Sequence, residues 1–214
     1  MMKVLRVLMW FAYPVVLIML FASLLTSHPY MRLSEGMYES HEAISYDHGY
    51  VAGELIDYLN YRHDDLTFGA FEGDDTVLMR DIEIRHMEDV KDVYTNLRIL
   101  AGISLIVLIG AGVYLYKRDV RFFYETVKNS FWLPLAIIAF VGTWVLIDFG
   151  RLFTWFHLLF FDNDDWILRS DDALIQLLPQ NFWMVSGIII LVGTASLMGI
   201  TLMLNRKFIR PKIL

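Results

Sequence analysis

The sequence predicts a mainly α-helical membrane protein. The predicted architecture is a four-transmembrane-helix bundle, with a small extracytoplasmic cap between spans 1 and 2 and an interfacial or re-entrant aromatic segment between spans 3 and 4. Three observations carry this prediction. Apolar residues make up 57% of the 214 positions. Four stretches, 7–27, 99–116, 129–147 and 173–205, hold no charged residue, and each is long enough to cross a bilayer core of ~30 Å as a helix. The charges that remain are sorted by sign between the intervening segments.

The first span occupies 1–27. Lys3 and Arg6 precede its uncharged part, as in a signal peptide, but signal-peptide cores run ~7–15 residues and end at a small-residue cleavage site. Nothing in 22–27 resembles such a site, so the segment reads as a retained helix. The cap is 28–98, the second span 99–116, a cytoplasmic loop 117–128 and the third span 129–147. An outer interfacial segment and loop, 148–178, lead to the fourth span at 179–205, where Pro179 suits a helix's first turn. A tail, 206–214, closes the chain. Gly102, Gly110, Gly112, Gly142, Gly187, Gly193 and Gly199 lie in or beside the spans, where small residues favour close helix packing.

Orientation follows from the basic residues. The N-terminal tail, 117–128 and the C-terminal tail hold ten of the eighteen Lys and Arg residues and only two acids, Asp119 and Glu125. Both termini are therefore expected in the cytoplasm, with 28–98 and 148–172 outside.

Within the cap, Tyr50, Val51, Leu55, Tyr58 and Leu59 recur at helical spacing, with Gly53, Asp57 and Asn60 opposite, which predicts an amphipathic helix. Turns are expected at 64–65 and 73–75, and a short strand is allowed at 76–79. A cap of this size is too small to hold together alone and is expected to rest on the span ends. From Asp81 onward a helix fits better than a strand. Asp81 would be its N-cap, Glu83 would lie in its first turn, and Ile82, His86, Val90, Val93 and Leu97 would form one stripe. Asp89, three residues on, is placed to hold one nitrogen of His86. A straight helix would lift His86 ~20 Å above position 99, so the cap is expected to bend or to rest deep in the headgroups.

The remaining candidate chemistry is sparse. With no cysteine, thiol nucleophiles, disulfides and zinc–thiolate sites are excluded. His28, His41, His48 and His63 read as solvated or locally bonded cap histidines. Glu42, Asp47 and His48 with His41 show no familiar ligand spacing, and neither a metal nor a cofactor is expected. Asp148 and Arg151 read as a structural ion pair. The run 152–161, Leu-Phe-Thr-Trp-Phe-His-Leu-Leu-Phe-Phe, has five aromatics around His157 and is followed by Asp162, Asp164 and Asp165. It is too short to span and too apolar for a solvated loop. By spacing alone, His86 and His157 read equally well as interfacial imidazoles anchoring helix ends.

A resemblance adds to this reading. His86-Met87-Glu88-Asp89-Val90-Lys91, with the later Phe156-His157-x-x-Phe160-Phe161-x-Asn163-x-x-Trp166, resembles the two signature regions of a bacterial integral membrane family. That family includes the lipoprotein intramolecular transacylase of Gram-positive bacteria. The four-span layout agrees along essentially the whole chain.

The resemblance implies a membrane acyltransferase acting on a diacylglyceryl-modified lipoprotein. The sn-2 acyl chain would move to the α-amino group of the N-terminal cysteine, giving a lyso-form lipoprotein. His86 and His157 would be the catalytic pair. Trp155, Phe156, Phe160, Phe161, Asn163 and Trp166 would line the substrate pocket, with Asp89 in support. Which histidine acts as base is left open. Two other classes also remain: a histidine-dependent ester hydrolase, and a non-catalytic extracytoplasmic binding or sensor protein.

Overall fold

A computed structural model describes residues 1–34 and 45–213. The expected sites at His41 and Glu42 lie outside the described residues. In chain order the helices are α1 (Met2–Leu25), α2 (His28–Ser34), α3 (His48–Leu59), α4 (Asp81–Arg118), α5 (Val120–Asn129), α6 (Trp132–Ile147), α7 (Phe149–Phe160), α8 (Ala173–Leu177) and α9 (Gln180–Leu204). A π-helical turn (Asn205–Ile209) and a 3-10 turn (Arg210–Lys212) follow α9. No strand occurs among the described residues. The 76–79 segment is irregular, tied back by one bond from Leu78 N–H to the Phe68 carbonyl. Among the described residues, four helical segments are long and apolar enough to cross a membrane: Met2–Leu25, Asp81–Arg118, Val120–Ile147 and Gln180–Lys212. The protein is a multi-pass helical membrane protein.

The chain divides into two compact units. The first comprises Met1–Ala22, Asn96–Ile147 and Ile188–Leu214. Its helices turn apolar side chains outward, as a lipid-facing surface must. On α4, Ile99, Ile103, Ile106, Ile109 and Val113 are exposed, whereas Ser104, Ala111 and Leu115 are buried. Several polar groups inside are paired, while Thr194 Oγ1 and Asn205 Oδ1 are buried without a partner in the protein. Tyr13 Oη donates to Thr201 Oγ1 at 2.7 Å, Trp10 Nε1 to the Thr126 carbonyl at 3.1 Å, and Asn205 Nδ2 to the Tyr124 carbonyl at 3.1 Å. Such pairing is what apolar surroundings require of each donor. The glycine expectation needs correction. Of these seven, only Gly193 is crowded, where a Cβ would fall 2.4 Å from the Phe21 ring. Nothing lies within 4 Å of the Cβ position at Gly102, Gly110, Gly187 or Gly199.

The second unit comprises Ser23–Thr95 and Asp148–Gly187. The amphipathic stretch forms α3, with Asp47 as N-cap accepting from the Tyr50 N–H at 2.9 Å. Its buried face (Val51, Leu55, Ile56, Tyr58, Leu59) packs with Leu66, Met79 and Met87, and with Leu174, Leu177 and Phe182 from the second outer segment. The cap core is thus completed by residues around α8. Two outer segments contribute to one core because neither carries enough apolar side chain to close it alone.

α4 is unbroken over 38 residues, a length of ~57 Å that far exceeds a bilayer core. The helix is continuous through His86, with no break there. Its start differs from expectation. Arg80, not Asp81, occupies the capping position: the Arg80 N–H donates to Glu83 Oε2 at 2.8 Å, while its carbonyl accepts from the Glu83 N–H at 2.9 Å. That reciprocal pair is the carboxylate half of a capping box. The inward stripe is consequently rotated to Glu83, His86, Met87 and Tyr94.

Candidate active site

The site is built from the first turns of α4, from α7, and from the loop after α7, all within the second unit. α7 forms because Asp148 stops the preceding span and caps the next helix, its Oδ1 accepting from the Arg151 N–H at 2.9 Å. The same carboxylate pairs with the Arg151 guanidinium at 3.4 Å. This arrangement fixes the corner and sends the aromatic run into a twelve-residue helix. His157 is its buried residue, 7% exposed.

His86 is 6% exposed, and its ring centroid lies 5.8 Å from that of His157, with the planes tilted by 34°. Phe161 closes on both rings, at 5.2 Å from His86 and 5.5 Å from His157. Trp166 lies 4.9 Å from His157, and Phe153 4.2 Å. Phe156 meets His157 edge-on at 5.6 Å and Phe160 at 4.8 Å. Trp155, Phe156 and Phe160 present exposed apolar surface. Phe153, Phe161 and Trp166 thus pack on the imidazoles, Trp155 and Phe160 expose apolar surface, and Phe156 does both.

The two imidazoles are held differently. His157 Nδ1 is 2.8 Å from the Phe153 carbonyl. A carbonyl only accepts, so Nδ1 carries the hydrogen and Nε2 of the neutral ring keeps its lone pair. Burial pushes the His157 imidazole below its ordinary value of 6.5, and the Phe153 carbonyl pulls it part of the way back. His86 Nδ1 is buried with no hydrogen-bond partner. Trp166 Nε1 is also buried without one.

Two expected roles are not the ones the geometry shows. Asp89 does not bond to the His86 ring; its Oδ2 accepts from Asn163 Nδ2 at 2.8 Å. An exposed amide offers the carboxylate a partner without drawing its charge toward buried surroundings. Asn163, expected among lining residues, has both amide ends engaged, its Oδ1 accepting from the Asp165 N–H at 3.0 Å. A bidentate pair from Arg85 to Asp165, at 2.9 and 3.1 Å, bolts the same loop to α4. That guanidinium holds the Asp165 carboxyl below the usual carboxylate range. Arg85 and Asp89, one turn apart, thus fasten the loop on either side of His86 in sequence.

Glu83 was visible in the sequence only as a first-turn acid. It is fully buried, at 0% exposure, and besides the Arg80 N–H it accepts from the Leu174 N–H at 2.7 Å. Arg80 in turn pairs with the buried Asp172. The signal available was the three-residue spacing from Arg80; nothing pointed to position 174. The other cap histidines are locally bonded where partners are seen: His28 with Asp57 at 2.8 Å and His63 with Glu54 at 2.7 Å. Among the described residues no cluster of three or more His, Asp or Glu is arranged to hold a metal.

Fold and site together define a class: a four-span helical membrane protein that buries two facing imidazoles among aromatic rings. The family model for lipoprotein intramolecular transacylase Lit matches residues 2–183, and the chain belongs to that family, which is one of acyltransferases. Structures of the membrane-integral lipoprotein intramolecular transacylase Lit from Bacillus cereus are similar throughout. One has a TM-score of 0.75 at 18% identity, covering 99% of this chain and 97% of that one. Another, in which a histidine is replaced by alanine, has a TM-score of 0.71 at 18% identity, covering 99% and 95%. At that identity the likeness establishes the fold. An uncharacterised protein of Aquifex aeolicus (strain VF5) is 29% identical over 136 residues, covering 62% of this chain. The match spans 60% of that relative's length.

Proposed function

We propose that this protein transfers the sn-2 acyl chain of a diacylglyceryl-modified lipoprotein to the α-amino group of that lipoprotein's own N-terminal cysteine. The product is a lyso-form lipoprotein. Family membership supports the reaction class, and one observation carries the mechanism: two buried imidazoles 5.8 Å apart in an aromatic setting.

An α-ammonium, with a pKa of ~8 in water, must lose a proton before it can attack an ester. His157 is the base, since its Nδ1 is committed to the Phe153 carbonyl and its Nε2 is left to accept. His86, directly or through one water, returns a proton to the departing glycerol oxygen. Nucleophile and ester share one molecule, so the enzyme's main task is to fold it into a near-attack shape. Such positioning lowers barriers by up to ~7–11 kcal/mol. The aromatic rings shield the reacting ester from water that would hydrolyse it. The excess of basic residues in the tails and in 117–128 supports cytoplasmic termini and a site at the outer leaflet.

The test is expression in a strain lacking lipoprotein N-acylation, with the N-terminal lipopeptide read by tandem mass spectrometry. The expected product is N-acylated with a lyso-glyceryl group. His86→Ala and His157→Ala each lower its formation by ~10²–10⁴-fold while the protein still inserts and folds. A diacylglyceryl cysteine with a free amine, or release of free fatty acid, would refute the transacylase reading.

A further inference from the structure

The indole of Trp166 has a feature that ring packing does not explain. Its Nε1 is buried and has no hydrogen-bond partner within the protein, although the ring as a whole is partly exposed. An indole N–H can only donate. A buried donor without an acceptor is unfavourable, and such a group calls for a reason: a catalytic role, or a partner present only at some stage of the cycle. The same ring lies 4.9 Å from His157, the imidazole whose Nδ1 is fixed on the Phe153 carbonyl. The ring that carries this unpaired donor therefore packs on the imidazole that would deprotonate the nucleophile. Tyr and Trp polar atoms normally find partners when buried. Here the acceptor that fits is an oxygen arriving with the substrate.

We propose that Trp166 is a further catalytic residue, its Nε1–H donating to the ester carbonyl oxygen as that oxygen becomes an oxyanion. This deepens the transacylase reading and rests on it. The steps balance without a co-reactant. Starting from the neutral amine, its ammonium proton already passed to solvent, the nitrogen bonds to the ester carbon, and the carbonyl π pair moves onto oxygen, where Trp166 Nε1–H meets it. His157 Nε2 takes the proton from nitrogen. The oxyanion then re-forms the carbonyl, the bond from carbon to the glycerol oxygen breaks, and a proton is returned to that oxygen. The net change is one N–C bond made, one O–C bond broken, and one proton moved from nitrogen to oxygen. A donor aimed at charge that develops only in the transition state raises kcat with little effect on ground-state binding.

The experiment uses the full chain in detergent micelles with a synthetic dipalmitoylglyceryl-cysteinyl hexapeptide carrying a free α-amine, its N-acyl product followed by mass spectrometry. Trp166→Phe keeps an aromatic ring against His157 and removes the N–H. Replacement by 3-benzothienylalanine keeps the bicyclic shape and also removes it. Both variants are expected to lose ~10²–10³-fold in kcat, with KM and the pH profile unchanged, and the benzothienyl variant, freed of an unpaired buried donor, is expected to unfold at the wild-type midpoint or above it. Retention of wild-type kcat by the benzothienyl variant would overturn the proposal, whatever Trp166→Phe does, because ring shape would then be the cause. A shifted pH profile with kcat little changed would also overturn it, by showing that the N–H serves the imidazoles through a bridging water. If the unaltered protein forms no N-acyl product, the transacylase reading itself fails. A normal wild-type rate with an active benzothienyl variant removes only the role of Trp166.

Discussion

Glu83→Ala is the substitution for which the structure yields the most definite magnitude. The Glu83 carboxylate is sealed from solvent and serves two backbone donors, Arg80 N–H at 2.8 Å and Leu174 N–H at 2.7 Å. The first starts α4; the second starts α8, so one side chain joins two segments of the cap core. Alanine leaves both donors without an acceptor. Each orphaned buried group costs ~1–3 kcal/mol, so the pair costs ~2–6 kcal/mol. Deleting a buried carboxylate recovers part of the cost of having desolvated it, which places the expected loss toward ~2–4 kcal/mol. Glu83→Gln keeps one oxygen but points an amide N–H toward the second donor, and should lose ~1–3 kcal/mol. Against a total stability of ~5–15 kcal/mol these are large losses. The assay is reversible unfolding in mixed micelles, followed by tryptophan fluorescence. Acyl transfer should fall in parallel, because His86 lies one turn further along the same helix. A Glu83→Ala protein within ~0.5 kcal/mol of wild type would refute the argument, since a change that small belongs to surface sites.

Two further predictions test other parts of the molecule. His157 has a folded-state pKa below 6.5, so above pH 6.5 folded and unfolded chains are both neutral there. Below it the unfolded imidazole binds a proton that the folded one resists. Stability therefore falls as pH drops from 6.5 toward the lowered folded value, by up to ~1.4 kcal/mol per pH unit. ¹⁵N-histidine NMR should place the His157 midpoint below 6.5, and a midpoint at or above 6.5 would contradict the burial argument. In the first unit, Gly193→Val should cost ~1–3 kcal/mol by driving a side chain into Phe21. Phe21→Ala should relieve that clash in a double-mutant cycle of unfolding free energies, and simple additivity would count against the close approach.

The fold was legible because its signals are local. Charge-free length and basic bias mark the spans wherever a chain must satisfy its backbone inside lipid. The stretch that forms α3 showed itself through 3.6-residue periodicity, whereas the run that forms α7 was legible only as an interfacial aromatic segment. The glycines misled because composition records that a position is small, not what stands opposite it. Gly193 faces Phe21 and four other glycines face open space. At the site, His86 and His157 were singled out, yet their surroundings were only half readable. Asp89 was assigned to His86 by helical spacing, and Asn163, 74 residues away, bonds to it instead.

The sequence by itself therefore determined the helical class, the number of membrane-crossing segments and the two histidines worth examining. Each of these rests on periodicity, run length or a short motif. Tertiary structure alone decided that α4 runs unbroken past His86, and that Glu83 is a buried clamp on a segment 91 residues away. It also decided that the 152–161 run is a helix whose one buried residue is His157. The physical reason is common to all three. Burial and hydrogen-bond partnership depend on which distant segment arrives, and a donor left open, such as Trp166 Nε1, can be recognised only once every other partner is in place.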